Sequence, residues 1–422
     1  MTKRALLSSA QFVVAAAAFV ACGGSTASPT PVTTDDAGVD AADIDASVDA
    51  GDPLNPVYPA DHSPIPLVNY NGGRVLTAPK IVTITFSNDQ ASLVARLQDF
   101  GDTITSTPWW TETTAEYCEQ PAGTPCVGPG SGGGHVVIAD PPADTYVDSS
   151  QGQPSTIQDF IKAKVADATF PAPTDQTIYA IYFPANVSIT LDGSQSCSNG
   201  GFGAYHNTVE LPDGKGGKVR TPYAIMPRCG GEATTTKSAS HEFDETVTDP
   251  DIGLGDVSYY MQNRLWAFAG GETSDLCVDF TGSNDTVIES GFTVQRSWSN
   301  KSAKASHNPC VPVPNGEVYF NAAAQKQKVV LKVKGDTATL DIDAFSDAPM
   351  ADWDISGVDF AQFQGGTASV SFSFDKTKVH NGSHVLLTLT ALRIIPAAPG
   401  GLAIVSRSGK QTHFWPVLLA NK

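Results

Sequence analysis

The chain is 422 residues long, more than one ordinary core accommodates, which predicts two domains plus terminal segments. Its formal net charge is -18 and only 17% of its residues are charged, while it holds 38 glycines and 29 prolines, a mix that suits a β-rich, loop-rich exported protein. Seven aspartates crowd residues 35–52, and no basic stripe exists to neutralise phosphates, so nucleic acid is excluded as a partner.

Lys3 and Arg4 precede an apolar run at residues 12–20 that ends in Ala21-Cys22-Gly23-Gly24. The run is too short to span a bilayer and reads as a signal over residues 1–22. Its layout resembles a bacterial lipoprotein signal, with cleavage before Cys22 and a diacylglycerol on its sulfur. Phe19 replaces the leucine usual three residues before that cysteine, so an ordinary secretory signal stays open. The expectation is an exported lipoprotein of the outer membrane or cell surface, or a secreted protein, touching membrane only through the lipid anchor. Residues 23–56 contain almost no large apolar side chain and read as a disordered, Asp-rich tether.

Residues 57–314 read as an α/β or α+β domain. KIVTITF (80–86) is a buried strand. SLVARLQDFGDTI (92–104) places Leu93, Val94, Leu97, Phe100 and Ile104 at helical spacing. Trp109-Trp110 reads as a buried pair ending a helix rather than a sugar-stacking platform. SGGGH (131–135) lacks the lysine of a phosphate loop and reads as a flexible loop. STIQDFIKAKVADATF (155–170) repeats the helical spacing, and TIYAIYFP (177–184) and RTPYAIMPRC (220–229) are short strands. TTTKSASHEFDETV (234–247) reads as a helix with a hydroxyl-capped start, ended by Asp249-Pro250. SYYMQNRLWAFA (258–269) reads as a further helix.

The chain has seven cysteines. With Cys22 set aside for lipid, Cys118, Cys126, Cys197, Cys229, Cys277 and Cys310 remain, and pairing neighbours in sequence is the economical choice. No CxxC occurs, and an oxidising compartment favours disulfides over thiolate metal ligands. From residue 315 to 422, VYFNAA, KVVLKVKG, TATLDIDAF, ASVSFSFD, HVLLTLTAL, LAIVSR and THFWPVLL follow at short spacing with no helical pattern between them. Turn residues separate them, which predicts an all-β, Ig-like sandwich. His380 and His384 flank an Asn-Gly turn and read as turn surface.

The chemically suggestive stretch is SASHEFDETVTDP (238–250), a His-Glu-x-x-Glu. On a helix, residues four apart share a face, so His241 and Glu245 would project together and hold one cation. Glu242, one residue round, would act on water as general base, as in HExxH enzymes. A carboxylate in place of imidazole keeps zinc favoured and admits manganese or calcium. The third ligand is open: Glu272 or Asp275 after the 258–269 helix, as in thermolysin-like peptidases but at a spacing of three rather than four; Asp251, ten residues after His241; His206, brought near by a disulfide; or Asp249. The bland alternative is a surface helix on which Glu242, Asp244 and Glu245 are simply solvated. No Gly-x-Ser-x-Gly elbow is present, which argues against a serine hydrolase.

Taken in order, NYNGGRVLTAPKIVTITF (69–86), STPWWTETTAEY (106–117), SCSNGGFGAYHNT (196–208), TPYAIMPRC (221–229) and VTDPDIG (247–253) resemble the plant EXORDIUM, or phosphate-induced protein, family. The likeness covers residues 69–310 at low identity and leaves out the tether, Cys22 and the sandwich. It implies an extracellular or cell-wall protein and no settled catalytic activity. The family's segment before its Thr-Asn-Pro lacks His-Glu-x-x-Glu, so the resemblance does not decide what His241, Glu242 and Glu245 do.

Two readings follow. One is a surface-tethered, metal-dependent hydrolase with a zincin-like, peptidase-like domain, using one divalent metal, with zinc favoured. His241 and Glu245 would ligate it, Glu272 or Asp275 would complete it, Glu242 would activate water, and the substrate would be a peptide or cell-wall polysaccharide. The other is a non-catalytic cell-envelope or adhesion protein that binds carbohydrate or protein.

Overall fold

The computed structural model describes residues 56–119, 125–149, 154–198, 201–263, 265–266, 270–278, 284–363, 365–395 and 400–422. The signal over residues 1–22, Cys22 and the tether up to residue 55 lie outside the described residues. The chain is mixed α/β with more strand than helix and divides into two compact units. The first comprises described residues of Ile65–Asp279 and Asp285–Asn315, and the second comprises residues 56–64 and Gly316–Lys422. Residues 57–64, expected in the first domain, therefore belong with the second: Asn381 Oδ1 accepts from Ala60 N at 2.9 Å, and His62 stacks on Phe345.

The first unit is built on β1 (Lys80–Phe86), β2 (Ser131–Ile138), β3 (Thr177–Tyr182), β4 (Tyr205–Pro212) and β5 (Lys218–Met226). Their order is β2-β1-β3-β5-β4, parallel except for β4, which runs antiparallel to β5. A parallel sheet is covered on both faces, so its central strands read as continuous apolar runs, and β3 is buried at every residue. Strand alternation sends Val82, Ile84 and Phe86 to one face, where they pack with Ile157 and Ile161 of α3 (Thr156–Ala166). Ile81 and Thr83 point to the other face and meet Gly101 of α1 (Ala91–Thr103); a Cβ on Gly101 would lie 2.2 Å from Thr83 Oγ1.

Helix α4 (Glu232–Thr248) carries the His-Glu-x-x-Glu sequence and lies beside α1. Its interior is poor in strong helix formers, so packing must hold it. Ala239, Phe243 and Val247 make a buried stripe at spacing four, and Phe243 stacks on Phe100 with ring centroids 6.0 Å apart. The helix also packs on the hairpin of β6 (Thr286–Glu289) and β7 (Phe292–Gln295), whose Phe292 lies edge-on to Phe100 at 5.1 Å. The expected hydroxyl cap is not used. Gly231 is the N-cap, and the threonines lie inside the helix, where Thr235 Oγ1 donates to Gly231 O and Thr236 Oγ1 donates to Thr293 O. Asp249 ends the helix as expected before Pro250.

Three other expectations are corrected. SGGGH is the start of edge strand β2, not a loop; a Cβ on Gly132 would sit 2.2 Å from Asp102 Oδ1, so glycine lets α1 approach the strand. Trp109 and Trp110 are buried but begin α2 (Pro108–Thr114), with Pro108 at its first position. In place of the helix expected over residues 258–269, Tyr259–Tyr260 pair with Asn69–Tyr70, because the tyrosine rings pack outside a helical stripe: Tyr259 meets Tyr117 at 4.7 Å. Arg264 and residues 267–269 of that expected helix lie outside the described residues.

The structure pairs Cys118 with Cys126, Cys197 with Cys229, and Cys277 with Cys310, the sequential scheme. Disulfides mark an oxidising compartment, in keeping with an exported protein. Among the described residues no helix is long and apolar enough to cross a membrane.

The second unit holds two sheets. One runs in the order Phe320–Ala324, Thr337–Ser346, His384–Ala391, Val370–Phe374. The other runs Lys328–Val330, Gln411–Ala420, Gly400–Ser408, Trp353–Asp359, Lys378–Val379. Val385, Leu387 and Leu389 point inward at spacing two, and Phe345 and Phe320 meet Trp415 and Trp353 from the opposite sheet, so this is a β-sandwich. The strand Trp353–Asp359 was not anticipated, since Asp354 and Gly357 mask its alternation. A short helix, Phe360–Phe363, also intervenes where no helical pattern was read, started by Asp359 Oδ1 accepting from Ala361 N at 2.9 Å. His384 stands on a strand, exposed, with Asp341 and Asp343 within 3.2 Å.

Replacing Phe243 by alanine is expected to cost about 3–5 kcal/mol, because an aromatic is lost from a packed core. Urea unfolding of the first unit reads this; a cost under about 1 kcal/mol would mean that α4 is not held through this ring.

Candidate metal centre

The surface-helix alternative fails on burial. Glu242, Asp244 and Glu245 are 5%, 0% and 3% exposed, so none is a solvated surface charge. Buried carboxylates must find partners, shift their protonation or bind a cation.

Asp244 finds partners. Its Oδ2 accepts from Thr273 Oγ1 at 2.6 Å, Ser297 Oγ at 2.5 Å and Ser274 Oγ at 3.2 Å. These bonds pin the GGETSDLC turn against α4. Glu272 and Asp275 lie on this turn, in which Asp275–Cys277 forms a single 3-10 turn. Asp275 N donates to Glu245 Oε1 at 3.0 Å, and the Cys277–Cys310 disulfide anchors the far end.

His241 and Glu245 share a face of α4, with His241 Nε2 3.1 Å from Glu245 Oε1 and 3.5 Å from Asp275 Oδ1. The other ring nitrogen, Nδ1, lies 3.1 Å from Gln295 Oε1. That amide is oriented by its own Nε2, which donates to Ser274 O at 2.8 Å, so its oxygen must face the imidazole. Nδ1 therefore donates, and neutral His241 turns a lone pair on Nε2 toward two carboxylates.

His206 repeats this logic from β4. Its Nε2 lies 3.3 Å from the carbonyl of Asp249, which can only accept, and 3.4 Å from Glu272 Oε1. The proton of neutral His206 is thus on Nε2, and Nδ1 faces Glu242 Oε2 at 3.3 Å and Glu245 Oε2 at 3.8 Å. Strand β4 pairs His206 with Ala224 of β5, and the Cys197–Cys229 disulfide ties the segment before it to the loop before α4.

The structure thus brings together His206, His241, Glu242, Glu245, Glu272 and Asp275. Asp251 is not among them as a free ligand: Arg74 Nε at 2.8 Å and Arg220 Nη1 at 3.2 Å neutralise its buried carboxylate. Asp249 contributes its carbonyl; its Oδ1 accepts from Ser258 N, and its Oδ2 is buried without a hydrogen-bond partner. Sequence reading missed Gln295, on β7, and the role of Asp244. A lone glutamine in GFTVQRSW carries no signal of its own, and the pairing of β7 with α4 exists only in three dimensions.

Burial pushes Glu245 up to about 7, with Asp275 adding to the rise. Burial does the same for Asp249, to about 7, against the bond from Ser258 N. Glu272 is raised well above the carboxylate range by burial and then by Glu245, Asp249, Asp275 and Glu242. Burial by itself would lower both imidazoles, but the carboxylates around them outweigh it, so His206 is raised and His241 raised well above its ordinary value. Among the described residues, no Lys or Arg makes an ion pair with Glu242, Glu245, Asp249, Glu272 or Asp275. This donor set of imidazole nitrogens and carboxylate oxygens suits zinc or manganese.

No family model matches the chain, and no curated protein matches it. Among solved structures, a chimeric titin Z1Z2 functionalized with a KLER exogenous peptide from decorin is similar at 16% identity and a TM-score of 0.17. The match covers 25% of this chain and 95% of that one, and at this score it carries no argument about fold or function.

Raised carboxyl and imidazole values act in the same direction on stability. The metal-stripped native state holds protons that the unfolded chain has released, so stability is fullest near pH 4 and is lost as pH rises through about 7. Glu245 alone would account for roughly 3 kcal/mol. Thermal melts of the chelator-treated protein between pH 5 and 8 should show the fall, and zinc should reverse it at pH 8. A melting temperature that rises over this window would contradict the buried carboxylate cluster.

Proposed function

We propose that the first unit is a metal-dependent hydrolase, zincin-like and peptidase-like in its chemistry, acting on a peptide or cell-wall polymer. On this reading His241 Nε2, Glu245 Oε1 and Asp275 Oδ1 hold a divalent ion, with zinc favoured, and Glu242 acts on the attacking water. The observation that carries it is the Gln295 amide oxygen 3.1 Å from His241 Nδ1. Gln295 Oε1 accepts from Nδ1–H, so in the neutral ring the nitrogen turned toward Glu245 and Asp275 is the one able to ligate, the arrangement in which an outer hydrogen bond orients a metal-binding histidine.

A divalent ion bound there would supply Lewis acidity and acidify water. The residues do the rest. Gln295 fixes the imidazole, Asp275 N fixes Glu245, and Asp244 fixes the turn that delivers Asp275. His241 and Asp275 keep side-chain exposures of 15% and 21%, against 3% for His206, so a substrate would approach from their side. Glu242 is 5% exposed, so burial strengthens its attraction for a cation in the site.

The wider reading adds a surface lipoprotein anchored through Cys22, with an EXORDIUM-like first domain and an Ig-like accessory sandwich. Membrane contact would be through the lipid alone.

His241→Ala should abolish tight zinc binding, measured by mass spectrometry after dialysis. Glu242→Gln should lower turnover on a responsive peptide at least 100-fold. Native protein as inert as Glu242→Gln across a broad peptide library would remove the hydrolase reading and favour the envelope-binding alternative, with glycan binding the next assay.

A further inference from the structure

Glu245 faces two ways. Its Oε1 lies 3.1 Å from His241 Nε2, and its Oε2 lies 3.8 Å from His206 Nδ1. Each of these nitrogens is the one without a proton in the neutral ring, because the opposite nitrogen meets an oxygen that can only accept: Gln295 Oε1 for His241 and the Asp249 carbonyl for His206. Two lone-pair nitrogens therefore converge on the two oxygens of one carboxylate. Glu242 Oε2 joins the His206 side at 3.3 Å, and Asp275 Oδ1 joins the His241 side at 3.5 Å. The two sets, His206-Glu242-Glu245 and His241-Glu245-Asp275, each gather ligand atoms within 4.8 Å.

These separations accommodate ions as well as direct hydrogen bonds. Ligand atoms at roughly 2.1 Å from a tetrahedral ion lie about 3.4 Å from one another. The nitrogen-to-oxygen distances on the two sides, 3.1, 3.3, 3.5 and 3.8 Å, bracket that value. Asp249, whose carbonyl faces His206, is fully buried and its Oδ2 has no hydrogen-bond partner.

We propose that the centre is binuclear, with Glu245 as the bridging carboxylate, an outer ion on His241 and Asp275, and an inner ion on His206 and Glu242. This rests on the metal reading of His241 and deepens it: Glu242 acts on water as a ligand of the inner ion, not as a lone base. A bridging carboxylate holds two ions at the roughly 3.5–4 Å spacing of two-metal hydrolases, which suits attack on a polarised amide, ester or phosphoester. The inner set is closed from solvent, with His206 and Glu242 side chains 3% and 6% exposed, so the inner ion exchanges slowly and the outer one quickly.

The test is metal stoichiometry of the full chain titrated with Zn²⁺, together with electron paramagnetic resonance of the Mn²⁺-loaded protein. The native chain should take two equivalents and give an exchange-coupled Mn²⁺ spectrum. His206→Ala, Glu242→Gln and Asp275→Asn should each fall to one equivalent and lose the coupling. One equivalent in the native chain, kept in His206→Ala and lost in His241→Ala, would overturn the binuclear centre and leave the hydrolase reading standing. No bound metal in the native chain would overturn both. Should His206→Ala fail to fold, an uncoupled spectrum of the native protein at saturating Mn²⁺ overturns the proposal alone.

Discussion

Like charges buried together set the terms for the first unit. Glu242, Glu245, Asp249, Glu272 and Asp275 converge below the protein surface with two imidazoles for company, and among the described residues none of the five has a Lys or Arg partner. In a low-dielectric interior such charges repel strongly and lose hydration. They persist together only with protons or cations between them. Other buried acids in the same unit are treated differently. Asp251 has Arg74 and Arg220, Asp89 has Arg228, and Asp148 receives hydroxyls from Tyr205, Tyr223 and Ser155. The contrast is what makes the cluster a candidate site.

The scaffold serves that cluster through a small number of constraints. α4 is held by Phe243 against Phe100, not by helix propensity, so the packing of α1 on the sheet reaches the ligand face of α4. Asp244 turns away from the ligands and draws in Thr273, Ser274 and Ser297, which brings Asp275 opposite His241. Disulfides bracket two of the elements that approach α4 from elsewhere in the chain: Cys197–Cys229 around the His206 strand and Cys277–Cys310 beyond the Asp275 turn. Holding a site from several sequence-distant elements limits the side-chain freedom lost when a ligand binds.

The second unit obeys a simpler rule. Two antiparallel layers bury alternate residues, and large aromatic rings fill the space between them. An imidazole-carboxylate group in this unit, His384 with Asp341 and Asp343, is largely exposed, so water satisfies its charges without a cation.

The linear sequence determined what depends on local pattern. Apolar runs and helical spacing disclosed Lys80–Phe86, Ala91–Thr103, Thr156–Ala166, Thr177–Tyr182 and α4, and alternation disclosed most of the sandwich. Spacing four on a helix also placed His241 and Glu245 together. Strands whose residues are small or polar, such as Ser131–Ile138 and Trp353–Asp359, stayed hidden because the sheet and not the residue type selects their conformation. The sequence left the third ligand open among Glu272, Asp275, Asp251, Asp249 and His206. Tertiary structure separates these candidates, since Arg74 and Arg220 neutralise Asp251 while the turn pinned by Asp244 brings Asp275 within 3.5 Å of His241. Burial, too, is a property of the packed chain. Glu242, Asp244 and Glu245 could be solvated surface charges on the sequence alone, but the fold removes their water and, among the described residues, sets no Lys or Arg beside Glu242 and Glu245.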